Sequence, residues 1–160
     1  TPNALIHGAK YQWGANTNEA GRYYSQSDDQ SNSDAISGWD FTAKPNGSWS
    51  DASKTANDPC PSGYRVPTSA QWQAVIDNNT ASYIGSDWSD YATNYGNGVN
   101  LGGLLFLPAA GFRNSATGTL YSRGSFGNYG SSSEAGSYVS YLRFYNSGVE
   151  VHNLYRTSGR

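Results

Sequence analysis

Two blocks constrain this chain more than anything else in it. They are Asp58-Pro59-Cys60-Pro61-Ser62-Gly63-Tyr64-Arg65-Val66-Pro67-Thr68 and, further along, Leu105-Phe106-Leu107-Pro108-Ala109-Ala110-Gly111-Phe112-Arg113. The first runs directly into the clearest helix of the sequence, from Pro67 to Ile76. Thr68 and Gln71 there have the spacing of a capping box, and Trp72, Val75 and Ile76 share one face. That helix is expected to end near Asn78. The second block holds the longest apolar run, and Leu101 to Leu107 reads as one buried strand. Between the blocks, residues 80–100 show no regular period and are punctuated by Gly85, Gly96 and Gly98, which predicts loop.

A length of 160 residues fits one domain with a real core and is too short for two. Charged residues are scarce and Gly, Ser, Asn and Tyr abundant, which favours short strands and long loops over a helical bundle. The net charge is −2 and no Lys/Arg cluster occurs, so a nucleic-acid partner is not expected. The apolar run is far shorter than a bilayer span and the start lacks a signal-peptide pattern, so a soluble piece without membrane insertion is expected. Beginning at Thr1 and stopping at Gly159-Arg160, the chain is expected to be a single domain, 1–160, forming the C-terminal part of a larger protein.

Lys10-Tyr11-Gln12-Trp13-Gly14 alternates as a strand does, and Gly14 opens a polar loop running to about Gly38. Trp39, Phe41 and Trp49 bracket the turn sequence Pro45-Asn46-Gly47 and read as core aromatics that staple the loop. Near the end, Val139, Tyr141, Arg143 and Tyr145 alternate with Ser140, Leu142 and Phe144. Asn146-Ser147-Gly148 then turns the chain into a second strand from Val149 to about Tyr155. In that hairpin Leu142 and Phe144 are expected inward, with Tyr141, Arg143 and Tyr145 outward.

Catalytic chemistry finds little support. His7 and His152 are the only histidines and neither adjoins a nucleophile-elbow sequence. Asp28, Asp29, Asp87 and Asp90 are scattered through predicted loops, with nothing to mark one as a glycosidase acid. With Asp34 they are also the only calcium candidates, and the simpler reading is solvated loop carboxylates. No Gly-Lys-Ser/Thr triplet makes a phosphate loop. The expectation is therefore no enzyme, no metal and no cofactor.

The two blocks resemble the Fibrobacter succinogenes major paralogous domain family, common in surface proteins of gut bacteria and similar to C-type lectins in fold. The resemblance extends from Lys10 onward and takes in Gly118-Thr119-Leu120-Tyr121, Gly127-Asn128-Tyr129, Ser131-Ser132, Leu142, Phe144, Ser147-Gly148 and Arg156. It implies an α+β, C-type lectin-like fold of short antiparallel strands, long loops and one or two helices. Two departures stand out. There is no Glu-Pro-Asn calcium motif, only Trp88-Ser89-Asp90, and Gly130 stands where the family commonly has Trp, leaving Tyr129 or Phe126 to supply that core aromatic. A lone Cys60 excludes the catalytic chemistry of the related formylglycine-generating enzymes. Cys60 is either an inert buried thiol or, as the resemblance implies, the partner of a cysteine beyond Arg160.

Composition is skewed along the chain. Every Trp, Lys and Gln lies at or before Trp88, while Asn114 to Arg160 is rich in Gly, Ser, Asn, Tyr and Arg. Codons ending in a pyrimidine cannot encode Trp, Lys, Gln, Met or Glu, so diversification at the first two bases of Asn-type codons leaves this imprint. In a subset of the resembled family this region is rewritten by diversity-generating retroelements. The expected display positions are Tyr121, Arg123, Ser125, Phe126, Asn128, Tyr138, Ser140, Tyr141, Arg143, Tyr145, His152, Asn153, Leu154 and Tyr155. Tyr with Ser, Gly and Asn is the residue mix of antibody paratopes. The resulting expectation is a non-catalytic receptor-binding domain of a bacterial surface adhesin or a phage tip, located outside the cell or on the virion, with a protein or glycan ligand. The alternative is a fixed-specificity carbohydrate-binding module using Tyr23, Tyr24 or Trp88. A third reading, a purely structural domain, requires no aromatic patch on the last hairpin.

Overall fold

The computed structural model describes residues 2–160, so Thr1 and the expectation attached to it lie outside the described residues. With 31% strand and 11% helix, sheets rather than helix packing set the architecture, and the main sheet curls into a half-barrel. Strands β1 (Lys10–Tyr11) and β2 (Tyr23–Tyr24) pair near the start and are followed by α1 (Gln26–Ser31) and α2 (Ser69–Asp77). A three-stranded sheet of β3 (Ala81–Ile84), β4 (Gly98–Leu101) and β5 (Leu105–Pro108) comes next. The last part supplies β6 (Ala110–Arg113), β7 (Leu120–Arg123), β8 (Gly127–Ala135), β9 (Tyr138–Tyr145) and β10 (Gly148–Tyr155), in spatial order β10-β9-β8-β6-β7. Pairing is antiparallel except between β6 and β8, which meet in parallel at Gly111 and Gly127.

Helix α2 begins as its sequence dictates. Thr68 Oγ1 accepts the Gln71 N–H at 3.1 Å, and the Gln71 side chain accepts the Thr68 N–H at 2.9 Å. Its apolar face packs on Leu142 and Phe144 of β9 together with Val99, Leu101 and Leu107, the main core. The block before it folds around one carboxylate. Asp58 accepts the N–H groups of Cys60 and Val66, both at 2.9 Å, and the Lys54 ammonium at 2.7 Å. Val66 is thereby delivered to a second core with Trp13, Trp49 and Val139.

Several expectations are corrected. Ala81–Ile84 and Gly98–Leu101 are strands, not loop. The single strand expected over Leu101 to Leu107 is broken into a hairpin, because Gly102 and Gly103 both take positive φ, which suits the tight three-residue turn Gly102-Gly103-Leu104. Leu104 is flung out at that turn, 96% exposed. Trp39 and Trp49 are buried as expected, but Phe41 is 75% exposed, since its segment runs over the surface. At Gly130 neither candidate replaces the missing aromatic. Tyr129 packs between Trp72 and Phe144, and Phe126 lies against Tyr145.

The largest correction concerns Asp29, which is not solvated. Ser25 caps α1 and turns Asp29 inward, where it is 1% exposed. Its carboxylate meets Arg113 Nε at 2.8 Å, Arg123 Nη2 at 2.5 Å and Lys10 Nζ at 3.3 Å. Burial alone raises its pKa, but the three cations outweigh that and hold it below the usual carboxylate range. Lys10 shares this one anion with two guanidinium groups, so burial pulls its ammonium down. Nearby His7 is buried against Tyr95 with neither ring nitrogen bonded, and burial, with the charges of Lys10 and Arg123, lowers its pKa to about 4.

Asp29→Ala leaves three buried cations without their counter-charge and is expected to cost about 3–5 kcal/mol, against under about 0.5 kcal/mol for exposed Asp28→Ala, both read by urea denaturation. His7 has a folded pKa below its unfolded one, so its contribution is complete above pH ~6.5 and is lost as pH falls towards 4. Stability measured across that window is expected to drop by about 2–4 kcal/mol, and His7→Phe to flatten the drop.

Candidate functional site

Side chains on a strand alternate between faces, and partners in register share a face. In β9, Leu142 and Phe144 point to the main core, so Tyr141, Arg143 and Tyr145 lie on the opposite face, as the alternation predicts. Register then puts His152 beside Tyr141, Glu150 beside Arg143, Leu154 beside Val139, and Asn128 of β8 beside Arg143. The curl of the sheet brings in Phe112 from β6 and Ser122 from β7. A groove of about 190 Å³ results, lined by Phe112, Ser122, Phe126, Asn128, Tyr141, Arg143, His152 and Leu154, and fed by every strand of the five-stranded sheet.

The groove wall is firmly built. Ser122 sits at φ 62, and its carbonyl accepts the N–H groups of Ser125 at 3.1 Å and Phe126 at 2.9 Å, a strained turn that aims Phe126 at the groove. Phe126 meets Tyr145 at 5.7 Å and lies under the Arg143 guanidinium at 5.9 Å. Arg143 is also bound through Nε and Nη2 to Glu150 Oε1. Tyr141 and His152 touch edge to face at 5.9 Å. Tyr141 is only 2% exposed because the Arg160 guanidinium covers its ring at 4.6 Å, and burial raises its phenol pKa. Asn128 is 6% exposed and its Nδ2 has no hydrogen-bond partner. A buried amide left so costs about 1–3 kcal/mol, which an acceptor brought in from outside would recover.

Of the fourteen expected display residues, Phe126, Asn128, Tyr141, Arg143, His152 and Leu154 line this groove, and Tyr145 adjoins it through Phe126. Tyr121 stands exposed at the Phe112 end, 6.1 Å from that ring. Ser125 is spent in the turn, its Oγ bonded to Ser122 O. Tyr138, Ser140, Asn153 and Tyr155 occupy the other face at the far end of the hairpin, where Tyr138 meets Tyr155 and Ser140 bonds Asn153. Arg123 is not displayed at all, being buried on Asp29. Phe112 and Ser122 are the groove residues that sequence reasoning missed, together with Glu150, the ion-pair partner of Arg143. Glu150 was readable from the parity of the last hairpin, since it faces Arg143 in register.

Other candidates are already engaged. Tyr23 packs on Tyr11, Tyr24 lies under Arg113, and Trp88 packs between Tyr83 and Phe144. Asp87 accepts from Ser89 N–H at 3.1 Å and Tyr91 Oη at 2.5 Å. Among the described residues no group of three or more His, Cys, Asp or Glu is placed to hold a metal ion, and no helix is long and apolar enough to cross a membrane. No family model, no curated protein and no solved structure matches this chain.

Groove residues divide by burial into those that carry the fold and those that do not. Tyr141→Ala empties a packed site and is expected to cost about 3–5 kcal/mol, whereas Arg143→Ala, breaking a partly exposed cross-strand pair, is expected to cost about 1 kcal/mol or less in urea denaturation.

Proposed function

We propose that this chain is a non-catalytic domain that receives a protein or glycan ligand in the groove of its five-stranded sheet. The observation that supports it is the groove itself, where aromatic rings, an ion pair, an imidazole and an unpaired buried amide converge from all five strands. Such a face offers large contact area at low rotamer cost, with a few directional groups to set orientation. In this reading the fold is C-type lectin-like, and the chain belongs with the family its Asp58–Thr68 and Leu105–Arg113 blocks resemble. The parent protein acts at a bacterial surface or on a phage tip, and the groove is rewritten by a diversity-generating retroelement. Strand parity makes this physically workable at Arg143 and His152, whose substitution leaves Leu142, Phe144 and Val149 packed, whereas at buried Tyr141 only another large side chain keeps the fold.

Sequencing the encoding locus across many cells tests the proposal. Substitutions are expected at the groove codons and at Tyr121, Tyr138, Ser140, Tyr145, Asn153 and Tyr155, with a nearby template copy bearing adenines at those sites. Arg113, Arg123, Leu142 and Phe144 are expected to stay fixed. An invariant segment with no template overturns the diversified reading and leaves a domain of fixed specificity, whose protein or glycan preference a glycan array then decides.

A further inference from the structure

Beside Gly130 the chain forms a half-open cavity of about 250 Å³ that the groove does not use. Its lining includes Trp13, Trp49, Trp72 and Tyr129, with Gly130 and Arg160 among the rest. All three indole N–H groups are already donated to backbone carbonyls: Trp13 to Ser132 at 3.3 Å, Trp49 to Asn57 at 3.0 Å and Trp72 to Gly130 at 3.0 Å. Tyr129 likewise donates its hydroxyl to Pro108 O at 2.7 Å. The rings are therefore locked in place and turn carbon, not donors, to the space between them. A polyhydroxylated ligand would lose its water hydrogen bonds there without replacement.

Two further observations say what fits. Residue 130 has no positive φ, and a Cβ on it would meet nothing nearer than Trp49 at 3.7 Å, so the space exists because that residue lacks a side chain, not because the backbone requires glycine. An apolar cavity of about 150 Å³ stays dry and takes up benzene, so this one has room for a fused bicyclic ring. Arg160 brings a charge without a counter-charge. It makes no ion pair among the described residues, its Nε is shut off from solvent with no partner, and its guanidinium rests on the Tyr141 ring. Burial lowers its pKa to about 10, which still leaves it charged at neutral pH. The Cys60 thiol in the same wall is pushed up by burial and Asp58, so it stays protonated and serves as one more apolar surface.

We propose that this cavity binds a small planar aromatic acid, its ring held among Trp13, Trp49 and Trp72 and its carboxylate paired with Arg160. The site is separate from the groove but touches it, since Arg160 covers the Tyr141 ring that lines the groove.

Isothermal titration calorimetry with indole-3-acetate and its uncharged analogue indole-3-ethanol tests this. One molecule of the acid per chain is expected to bind, about tenfold tighter than the alcohol. Arg160→Gln is expected to bring the acid down to the alcohol's affinity, and Gly130→Trp, filling the space, to abolish binding of both while raising the melting temperature. No heat from the acid at millimolar concentration, or undiminished binding by folded Gly130→Trp, overturns the proposal. Should Gly130→Trp fail to fold, Gly130→Leu takes its place, and an Arg160→Gln protein that keeps its preference for the acid also overturns it.

Discussion

Asp29 is the one anion on which the architecture closes. Its carboxylate joins the first strand, through Lys10, to the two strands of the β6–β7 hairpin, through Arg113 and Arg123. The surplus of positive charge is spread over backbone carbonyls. Arg113 also donates to the carbonyls of Asp29, Asn32 and Gly118, and Arg123 to those of Asp29 and Ala92. Replacing a buried ionic cluster by apolar groups is often neutral or stabilising, so its value here is specificity. Greasy contacts would tolerate a slip of β6 against the amino-terminal segment, whereas two guanidinium forks meeting one carboxylate allow a single register. With β6 fixed, its parallel pairing at Gly111 places β8, and β8 places the groove.

The ends of the chain finish the same task. Tyr11 and Arg160 exchange backbone hydrogen bonds at 2.8 and 2.9 Å, Arg113 and Gly159 do so at 2.7 and 3.0 Å, and Trp13 N–H reaches Arg156 O at 3.0 Å. Arg156 then stacks on Trp13 and donates to the carbonyls of Lys44 and Gly136. Residues 156–160 thus tie β6 to the amino-terminal strand β1 through main-chain bonds. A groove held by main-chain bonds and charged forks can change its lining without changing its frame.

What was legible in the sequence was local. Helix α2 was readable because its cap and apolar face lie within one short segment, and the β9–β10 hairpin because alternation flanks a turn sequence. The β4–β5 hairpin was hidden by the apolar residues on both sides of Gly102-Gly103, although two adjacent glycines were the signal to read. Asp29 was misread because its partners are distant. Arg113 and Arg123 lie 84 and 94 residues away, and no spacing rule reaches that far. For the same reason Arg123 looked like a display residue and Tyr141 like an exposed one. Parity placed Tyr141 on the correct face, but the guanidinium that covers it arrives from the end of the chain.

The Arg160–Tyr141 stack bears on how the two proposed sites relate. Arg160 pairs with no carboxylate among the described residues, so the ring beneath it supplies its main electrostatic partner besides the Tyr155 carbonyl it bonds at 2.9 Å. A cation over an aromatic face is worth on the order of 2 kcal/mol when desolvated, and a carboxylate competing for the same guanidinium draws on that interaction. An aromatic acid in the cavity therefore loosens the cover on Tyr141, while a groove ligand that presses on Tyr141 alters how Arg160 meets the acid. Any such coupling is reciprocal, because it is one free energy shared by both sites. Its scale is set by the strength of the stack, so each ligand changes the other's affinity by on the order of thirtyfold.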